Sequence, residues 1–110
     1  MRLIKLGLAS IIAAGALANL ASAASLEEAI KNVVAKTIEK FGKINTLVNN
    51  AQVSKSGLPL VEHTKEDFDL AIYSGLYAAF FYMRECFPYL KESKGSVINF
   101  ASGAGLFGKL

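Results

Sequence analysis

Two short stretches of the 110-residue chain decide its fold: Ile44-Asn45-Thr46-Leu47-Val48-Asn49-Asn50 and Ser96-Val97-Ile98-Asn99-Phe100-Ala101. Both are rich in residues that favour β structure, and small or polar residues that suit a loop follow each of them. Residues 51–95 lie between the two predicted strands, and most of that interval reads as one helix. Two strands joined by a helix predict a right-handed parallel crossover, which places the chain in the α/β class.

A helix is also expected before the first strand, because apolar residues recur at helical spacing from Leu26 to Phe41. Ser25, with Glu28 three residues later, is the predicted N-cap, and Gly42 is the predicted stop. Residues 25–110 are therefore expected to form one small α/β domain.

The interval between the strands holds the second expected helix, with Thr64 as its N-cap and Asp67 at its third position. The residues from Phe68 to Phe87 are apolar nearly all round, so this helix must be covered on more than one side. Pro88 and residues 91–95 are expected to end it. The predicted order of elements is helix, strand, helix, strand.

Residues 1–24 differ in composition from the rest and are expected to form a separate apolar leader helix. Two positive charges, Arg2 and Lys5, precede an apolar run, and Ala21-Ser22-Ala23 has the small-x-small pattern of a signal-peptidase site. That order of features predicts a secretory signal peptide, cleaved after Ala23 or after Ala24, and export to the periplasm. A transmembrane anchor and a buried amino-terminal helix of a soluble protein are the alternatives.

The first 33 residues also resemble the signal peptide and start of certain outer-membrane porins of Gram-negative bacteria, through Ala24-Ser25-Leu26-Glu27-Glu28-Ala29-Ile30-Lys31-Asn32-Val33. The resemblance stops near Val33, because the alternating ten-residue strands of a porin do not follow. It implies that the reading frame joins two unrelated genes.

Charge and single-copy residues limit the function classes. The formal net charge is +3 at pH 7, and two positive residues lie in the first five positions, so no nucleic-acid patch is expected. Cys86 and His63 are each the only residue of their type. An internal disulfide is therefore excluded and no metal site is expected. We interpret Cys86 as a buried thiol and His63 as a surface-loop residue.

Three motifs resemble the short-chain dehydrogenase/reductase family, in the order and spacing of that family. Residues 41–52, which read Phe-Gly-Lys-Ile-Asn-Thr-Leu-Val-Asn-Asn-Ala-Gln, look like its fourth strand and Asn-Asn-Ala-Gly motif. Glu66-Asp67-Phe68-Asp69 opens the long helix as in family members, and residues 95–105 look like the fifth strand with its catalytic serine. From about residue 25 to residue 108, the resemblance implies the central piece of a Rossmann-type parallel sheet.

The resemblance also implies chemistry. Family members transfer a hydride between NAD or NADP and the alcohol or carbonyl carbon of a small molecule, with a tyrosine, assisted by a lysine, as general acid or base. By resemblance, Ser102 is the catalytic serine that orients the substrate. Asn49, Asn50 and Ala51 form the cofactor-binding turn, in which Asn50 and Ala51 line the cofactor and Asn49 supports the turn.

The chain departs from the family pattern in several ways. No tyrosine belongs to a Tyr-x-x-x-Lys motif, and Gly7 and Gly15 lie in the leader without the strand–loop–helix context of a phosphate-binding loop. Gly75 stands where the family has a helix asparagine, and Gln52 stands where it prefers glycine. These residues alone are therefore expected to be inactive and to bind nicotinamide cofactor no more tightly than about 1 mM.

Two interpretations of function remain open. One is a truncated short-chain dehydrogenase/reductase of cytoplasmic ancestry, and the other is a small exported or membrane-held protein whose apolar helix packs on a partner. The first interpretation carries two structural expectations. The strand with Leu47 and Val48 should have an unpaired outer edge, because the family's first strand is missing. Residues 65–90 should self-associate, because family members commonly pack this helix against its copy.

Overall fold

The computed structural model describes residues 10–12 and 22–107, which form a parallel three-stranded sheet with helices packed on it. The strands are β1 (Ser10–Ile12), β2 (Thr46–Asn49) and β3 (Ser96–Asn99), and they lie in that order across the sheet. Leu47 of β2 is the register partner of Ile11 on one side and of Val97 on the other. The predicted α/β class and the parallel pairing of β2 with β3 are therefore confirmed.

Strand β1 corrects two expectations. Residues 10–12 lie inside the stretch predicted as a leader helix, yet they pair with β2 along the edge that was expected to be unpaired. Ile11 and Ile12 are β-branched and favour strands, and pairing satisfies the N–H and C=O groups of that edge of β2. Gly15, predicted from the sequence to lie in a leader helix, thus comes three residues after the end of strand β1. The other leader residues, 1–9 and 13–21, lie outside the described part of the chain.

Helix α1 (Ala23–Phe41) starts before the position predicted for it, because its N-cap is Ser22 and not Ser25. The Ser22 hydroxyl accepts a hydrogen bond from the Ser25 N–H at 3.1 Å, and the Ser25 hydroxyl oxygen accepts one from the Ser22 N–H at 3.2 Å. Ser25 is therefore at the third helical position of the capping box, the place that Glu or Gln usually takes. Gly42 ends the helix as predicted, with a left-handed φ of 79°.

The long helix between β2 and β3 has three consecutive parts: α2 (Lys65–Ala71), a π-helical segment (Ile72–Tyr77) and α3 (Ala78–Ser93). A 3₁₀ turn, Leu60–Glu62, precedes it. The predicted cap is confirmed: the Thr64 hydroxyl accepts from the Asp67 N–H, and the Asp67 carboxylate accepts from the Thr64 N–H. The latter bond holds the pKa of Asp67 below its ordinary value. Asp67 also lies 3.6 Å from Nδ1 of His63, in the loop before α2.

The long helix ends within residues 91–95, as predicted, but Pro88 does not contribute to that end as expected. Helix α3 runs on to Ser93, and the left-handed Lys94 caps it at φ 56°. A proline inside a helix costs one backbone hydrogen bond. Cys86 and Leu90, on either side of Pro88, are buried in the core, and their packing offsets that cost.

The core lies between the sheet and the two long helices. Its buried residues come from α1, β2 and the long helix, together with Ile44 ahead of β2: Leu26, Ile30, Val34, Ile44, Leu47, Ala78, Phe81, Tyr82, Cys86 and Leu90. Each large apolar side chain buried here contributes roughly 1.5–3 kcal/mol. The buried-thiol interpretation of Cys86 is confirmed, and burial raises its pKa to about 11, so the thiol is neutral at physiological pH.

At the rim of the core, an ion pair between Arg84 of α3 and Glu27 of α1 joins the two helices. The hydrogen bond from Arg84 lowers the pKa of the Glu27 carboxyl, so the pair stays charged at neutral pH. The guanidinium carbon of Arg84 also lies 5.4 Å and 5.3 Å from the ring centroids of Phe80 and Phe81. The helices in residues 22–107 do not include one that combines the length and apolarity needed to span a bilayer.

Strand β3 begins at a close backbone approach. A Cβ atom at Gly95 would lie 2.3 Å from the carbonyl oxygen of Asn45 and 2.9 Å from Cδ2 of Leu90. The same Asn45 oxygen accepts a hydrogen bond from the Ser96 N–H at 3.0 Å. The absence of a side chain at Gly95 therefore lets the two chain segments meet where β3 enters the sheet.

Candidate functional site

Two asparagines join the carboxyl ends of the neighbouring strands β2 and β3. Asn49 and Asn99 are the last residues of these strands and are register partners. The Asn49 amide nitrogen donates to the Asn99 side-chain oxygen at 2.7 Å, and the Asn99 amide nitrogen lies 3.6 Å from the Met83 sulfur. Such a contact suits a residue that supports the turn after β2, the role that the resemblance implies for Asn49.

The other predicted site residues follow these strand ends. Asn50 is exposed and Ala51 is half-buried directly after β2, while Ser102 is exposed in the turn between β3 and the short helix α4 (Ala104–Phe107). The Phe100 N–H donates to the Asn49 carbonyl at 3.3 Å and continues the pairing past the strand ends. The Asn50 and Ser102 loops therefore leave the same edge of the sheet, which is where open α/β sheets bind ligands.

Sequence reasoning missed Ser74, which fixes the loop after β2 to the long helix. Its side chain is buried, and its hydroxyl donates to the Val53 carbonyl and accepts from the Val53 N–H, both at 2.9 Å. Ser74 lies in the π-helical segment Ile72–Tyr77, a geometry that is frequent at functional sites. The available signal was a small polar residue inside an otherwise apolar helix.

Gly75 and Gln52, two positions at which the chain departs from the family pattern, are neighbours in the structure. A Cβ atom at Gly75 would lie 3.5 Å from Cγ and Cδ of Gln52 and 3.6 Å from its Nε2, which are ordinary van der Waals distances. The amide side chain of Gln52, near the start of the loop after β2, thus lies against the helix where glycine leaves room. Positions 52 and 75 therefore form one packing arrangement, although each departs from the family pattern separately.

The polar groups at this edge suit the ribose side of a dinucleotide. The Ser102 hydroxyl and the Asn50 amide can both donate and accept hydrogen bonds, and Ala51 is small enough to let a sugar approach. In related folds the pyrophosphate lies between the first strand and its following helix. Here that interval includes residues 13–21, which lie outside the described part of the chain. Residues 10–12 and 22–107 contain no group of three His, Cys, Asp or Glu side chains that could hold a metal ion.

Comparison with known proteins gives consistent matches. A family model described as short chain dehydrogenase matches residues 9–109. The 12alpha-hydroxysteroid dehydrogenase of a Clostridium species is 66% identical over 84 residues, which cover 76% of this chain and 32% of that protein. A 3-oxoacyl-acyl-carrier-protein reductase of Thermotoga maritima is 39% identical over 80 residues, which cover 72% of this chain and 32% of the reductase. This chain thus spans about one third of the length of these relatives.

Solved structures agree with the sequence matches. An apo SCOR enzyme from Clostridium thermocellum superimposes with a TM-score of 0.68 at 32% identity, over 76% of this chain and 34% of that one. ElxO with NADP bound superimposes with a TM-score of 0.67 at 31% identity and the same coverage of both chains. The match therefore extends from the sequence to the arrangement of strands and helices.

Proposed function

Because the chain belongs to the short-chain dehydrogenase family, we propose a nicotinamide-dependent oxidoreductase site for a small alcohol or carbonyl compound. The carboxyl edge of the sheet, meaning the edge at which β2 and β3 end, is part of that site. One observation carries the proposal: adjacent parallel strands bring the Asn50 and Ser102 loops to the same edge of the sheet. Nicotinamide-dependent chemistry is also consistent with the NADP bound in the ElxO structure.

Each residue at this edge has a specific part in the proposal. The cofactor supplies or accepts the hydride when bound. The Ser102 hydroxyl donates a hydrogen bond to the substrate oxygen, which gains negative charge as a carbonyl is reduced, and one such donor is worth about 3–4 kcal/mol in the transition state. Asn50 and Ala51 lie along the cofactor's ribose, and Asn49 holds their turn in place through Asn99.

The 110 residues are not proposed to complete this reaction alone. The family's general acid is a tyrosine with lysine four residues later, and no tyrosine of this sequence has that partner. Tyr82, moreover, is buried in the core. Catalysis by this site therefore needs a proton donor that these residues do not supply in the family pattern.

A hydroxysteroid is the first substrate class to test. The 66%-identical relative carries the name 12alpha-hydroxysteroid dehydrogenase, and it matches 84 residues of this chain. We propose that the matched segment can replace its counterpart in that enzyme. The same assay with NAD and with NADP identifies which cofactor the chimera uses.

The proposal is tested in a chimera in which residues 25–107 replace the matching segment of the Clostridium enzyme. We expect the chimera to oxidise a 12alpha-hydroxysteroid, with activity followed by nicotinamide absorbance. Ser102→Ala is expected to lower kcat by about 10²–10³-fold, because a donor to the developing charge is lost. Ser56→Ala, a serine-to-alanine change in an exposed loop, is the matched control and should leave kcat unchanged.

Two outcomes would refute the assignment. A folded chimera without activity would show that the strand-end residues of this segment do not form a functional site. A chimera in which Ser102→Ala and Ser56→Ala behave alike would show that Ser102 does not act on the substrate. Circular dichroism of each variant separates loss of folding from loss of chemistry.

We also propose that two copies of the chain associate through the outer face of the long helix. Three large apolar side chains of this face are exposed: Leu76 by 66%, Phe80 by 49% and Phe87 by 62%. Ile72, Leu76, Tyr77 and Phe80 line a shallow cavity of about 430 Å³ along it. A contiguous apolar face of this kind usually marks an interface or an aggregation liability.

The variant Leu76→Lys/Phe87→Lys tests this association. It should shift the chain from dimers or larger species to monomers in sedimentation velocity at micromolar concentration, because two charges would be buried without partners. Leu60→Lys is the matched control, since Leu60 is 86% exposed and lies outside this face. If the parent chain is already monomeric, or if both variants associate alike, the proposal fails. Phe81, in contrast, is buried in the core and is unsuitable for such a test.

A further inference from the structure

The predicted cleavage position of the leader lies inside a folded element. The Ala23–Ala24 bond belongs to the first turn of α1, and Ala23 packs against the core cluster. Leu26, three residues beyond Ala23, is fully buried. Upstream of the bond, residues 10–12 form the edge strand β1. Both sides of the bond are therefore anchored in the fold.

The backbone groups of Ser22, the residue before Ala23, are also engaged. The Ser22 carbonyl accepts hydrogen bonds from the Leu26 N–H and from the Ser25 hydroxyl, both at 3.1 Å. The Ser22 N–H donates to the Ser25 hydroxyl oxygen at 3.2 Å. A peptidase that binds its substrate as an added strand needs these groups free and the segment extended. Binding would therefore require the first turn of α1 to unwind and Ala23 to lose its packing against the core cluster.

We propose that folding protects the Ala23–Ala24 bond, so that strand formation by residues 10–12 and removal of the leader are alternative fates of the same chain. If processing comes first, water adds across the amide and leaves a carboxylate on Ala23 and an amino group on Ala24. The remainder then lacks both β1 and its Ser22 cap. If folding comes first, the leader stays and completes the sheet.

This competition predicts how the cleavage rate depends on stability. Cleavage of a protected bond proceeds through the open form, so its rate follows the population of that form when opening and closing are fast. A substitution that destabilises the fold but lies outside residues 1–24 should then accelerate cleavage without changing the cleavage sequence. Leu47, fully buried in β2, is such a position.

The test uses a purified bacterial type I signal peptidase and the full 110-residue chain, with mass spectrometry of the amino terminus. A synthetic peptide of residues 1–30, which lacks β2, is the unfolded reference. We expect the peptide to be cut and the parent chain to be cut at least a hundredfold more slowly. Leu47→Ala should be cut at least tenfold faster than the parent. Leu60→Ala, the same change at an exposed position, should match the parent.

Several results would overturn the proposal. If the parent is cut as fast as the peptide, the fold gives no protection. If the peptide itself is not cut, the segment is not a processing substrate. If Leu47→Ala and Leu60→Ala are cut equally, the rate does not follow unfolding. Should Leu47→Ala fail to fold, it must be cut at the rate of the peptide, and a slower rate also contradicts the proposal.

Discussion

Replacing Gly95 with alanine is expected to lower the free energy of unfolding by about 2–3 kcal/mol. The new Cβ would lie 2.3 Å from the Asn45 carbonyl oxygen, a distance that backbone atoms cannot accommodate without moving apart. That movement would disturb the hydrogen bond between the Asn45 carbonyl and the Ser96 N–H, the bond with which β3 enters the sheet. Urea unfolding of the full chain, followed by far-ultraviolet circular dichroism, measures the change.

Gly75→Ala is the matched control for that experiment. Its Cβ would meet only the flexible Gln52 side chain, at 3.5–3.6 Å, and glycine inside a helix costs about 1 kcal/mol relative to alanine. This substitution should therefore raise the free energy of unfolding by about 0.5–1 kcal/mol. Two glycine-to-alanine changes with effects of the same sign would contradict the close approach at Gly95.

Removing residues 1–12 is expected to destabilise the chain by about 1–2 kcal/mol or more and to promote aggregation. The deletion takes away β1 and leaves one edge of β2 with unpaired N–H and C=O groups, which can pair with another chain. A sheet of only two strands is also marginal by itself. Removing residues 1–9 keeps β1 and is the matched control, so it should lower the urea midpoint less than removal of residues 1–12 does.

Both deletions retain Ser22, so the cap of α1 is the same in the two proteins. The comparison therefore isolates strand β1 from the helix start. Light scattering at micromolar concentration would report the exposed edge, and the urea midpoint would report stability. Equal behaviour of the two deletions would show that residues 10–12 contribute nothing to the sheet.

Helical spacing predicted α1 and the long helix, because it follows from the face that each helix buries. Composition rich in β-favouring residues predicted β2 and β3. Gly42 and Thr64 marked helix ends correctly, since their roles depend only on local backbone geometry. The helix continues past Pro88 because core packing on both sides of this residue outweighs one lost hydrogen bond. The error at Ser25 arose because serine can take either polar position of a capping box.

Strand β1 was not predicted because its sequence is compatible with two different structures. A short apolar run after two positive charges suits an exported leader, and its β-branched residues equally suit a strand that has a partner. Residues 10–12 form a strand because they pair with β2. That pairing joins residues far apart in the sequence, so no local pattern shows it. In the candidate site, the strand-end residues were recognisable as motifs. Ser74 and the contact between Gln52 and Gly75 depend on the approach of a loop to a helix, which no local pattern encodes.

The paired hydrogen bonds between Ser74 and Val53 have a consequence for amide hydrogen exchange. Val53 lies in a loop with its side chain 40% exposed, where backbone amides usually exchange within the dead time of the measurement. Its N–H is instead held by a buried hydroxyl on the π-helical segment, and the same hydroxyl is bonded to its carbonyl. Exchange at this single amide therefore requires the loop and the helix to separate. Its protection factor would report the free energy of that local opening, independently of global unfolding.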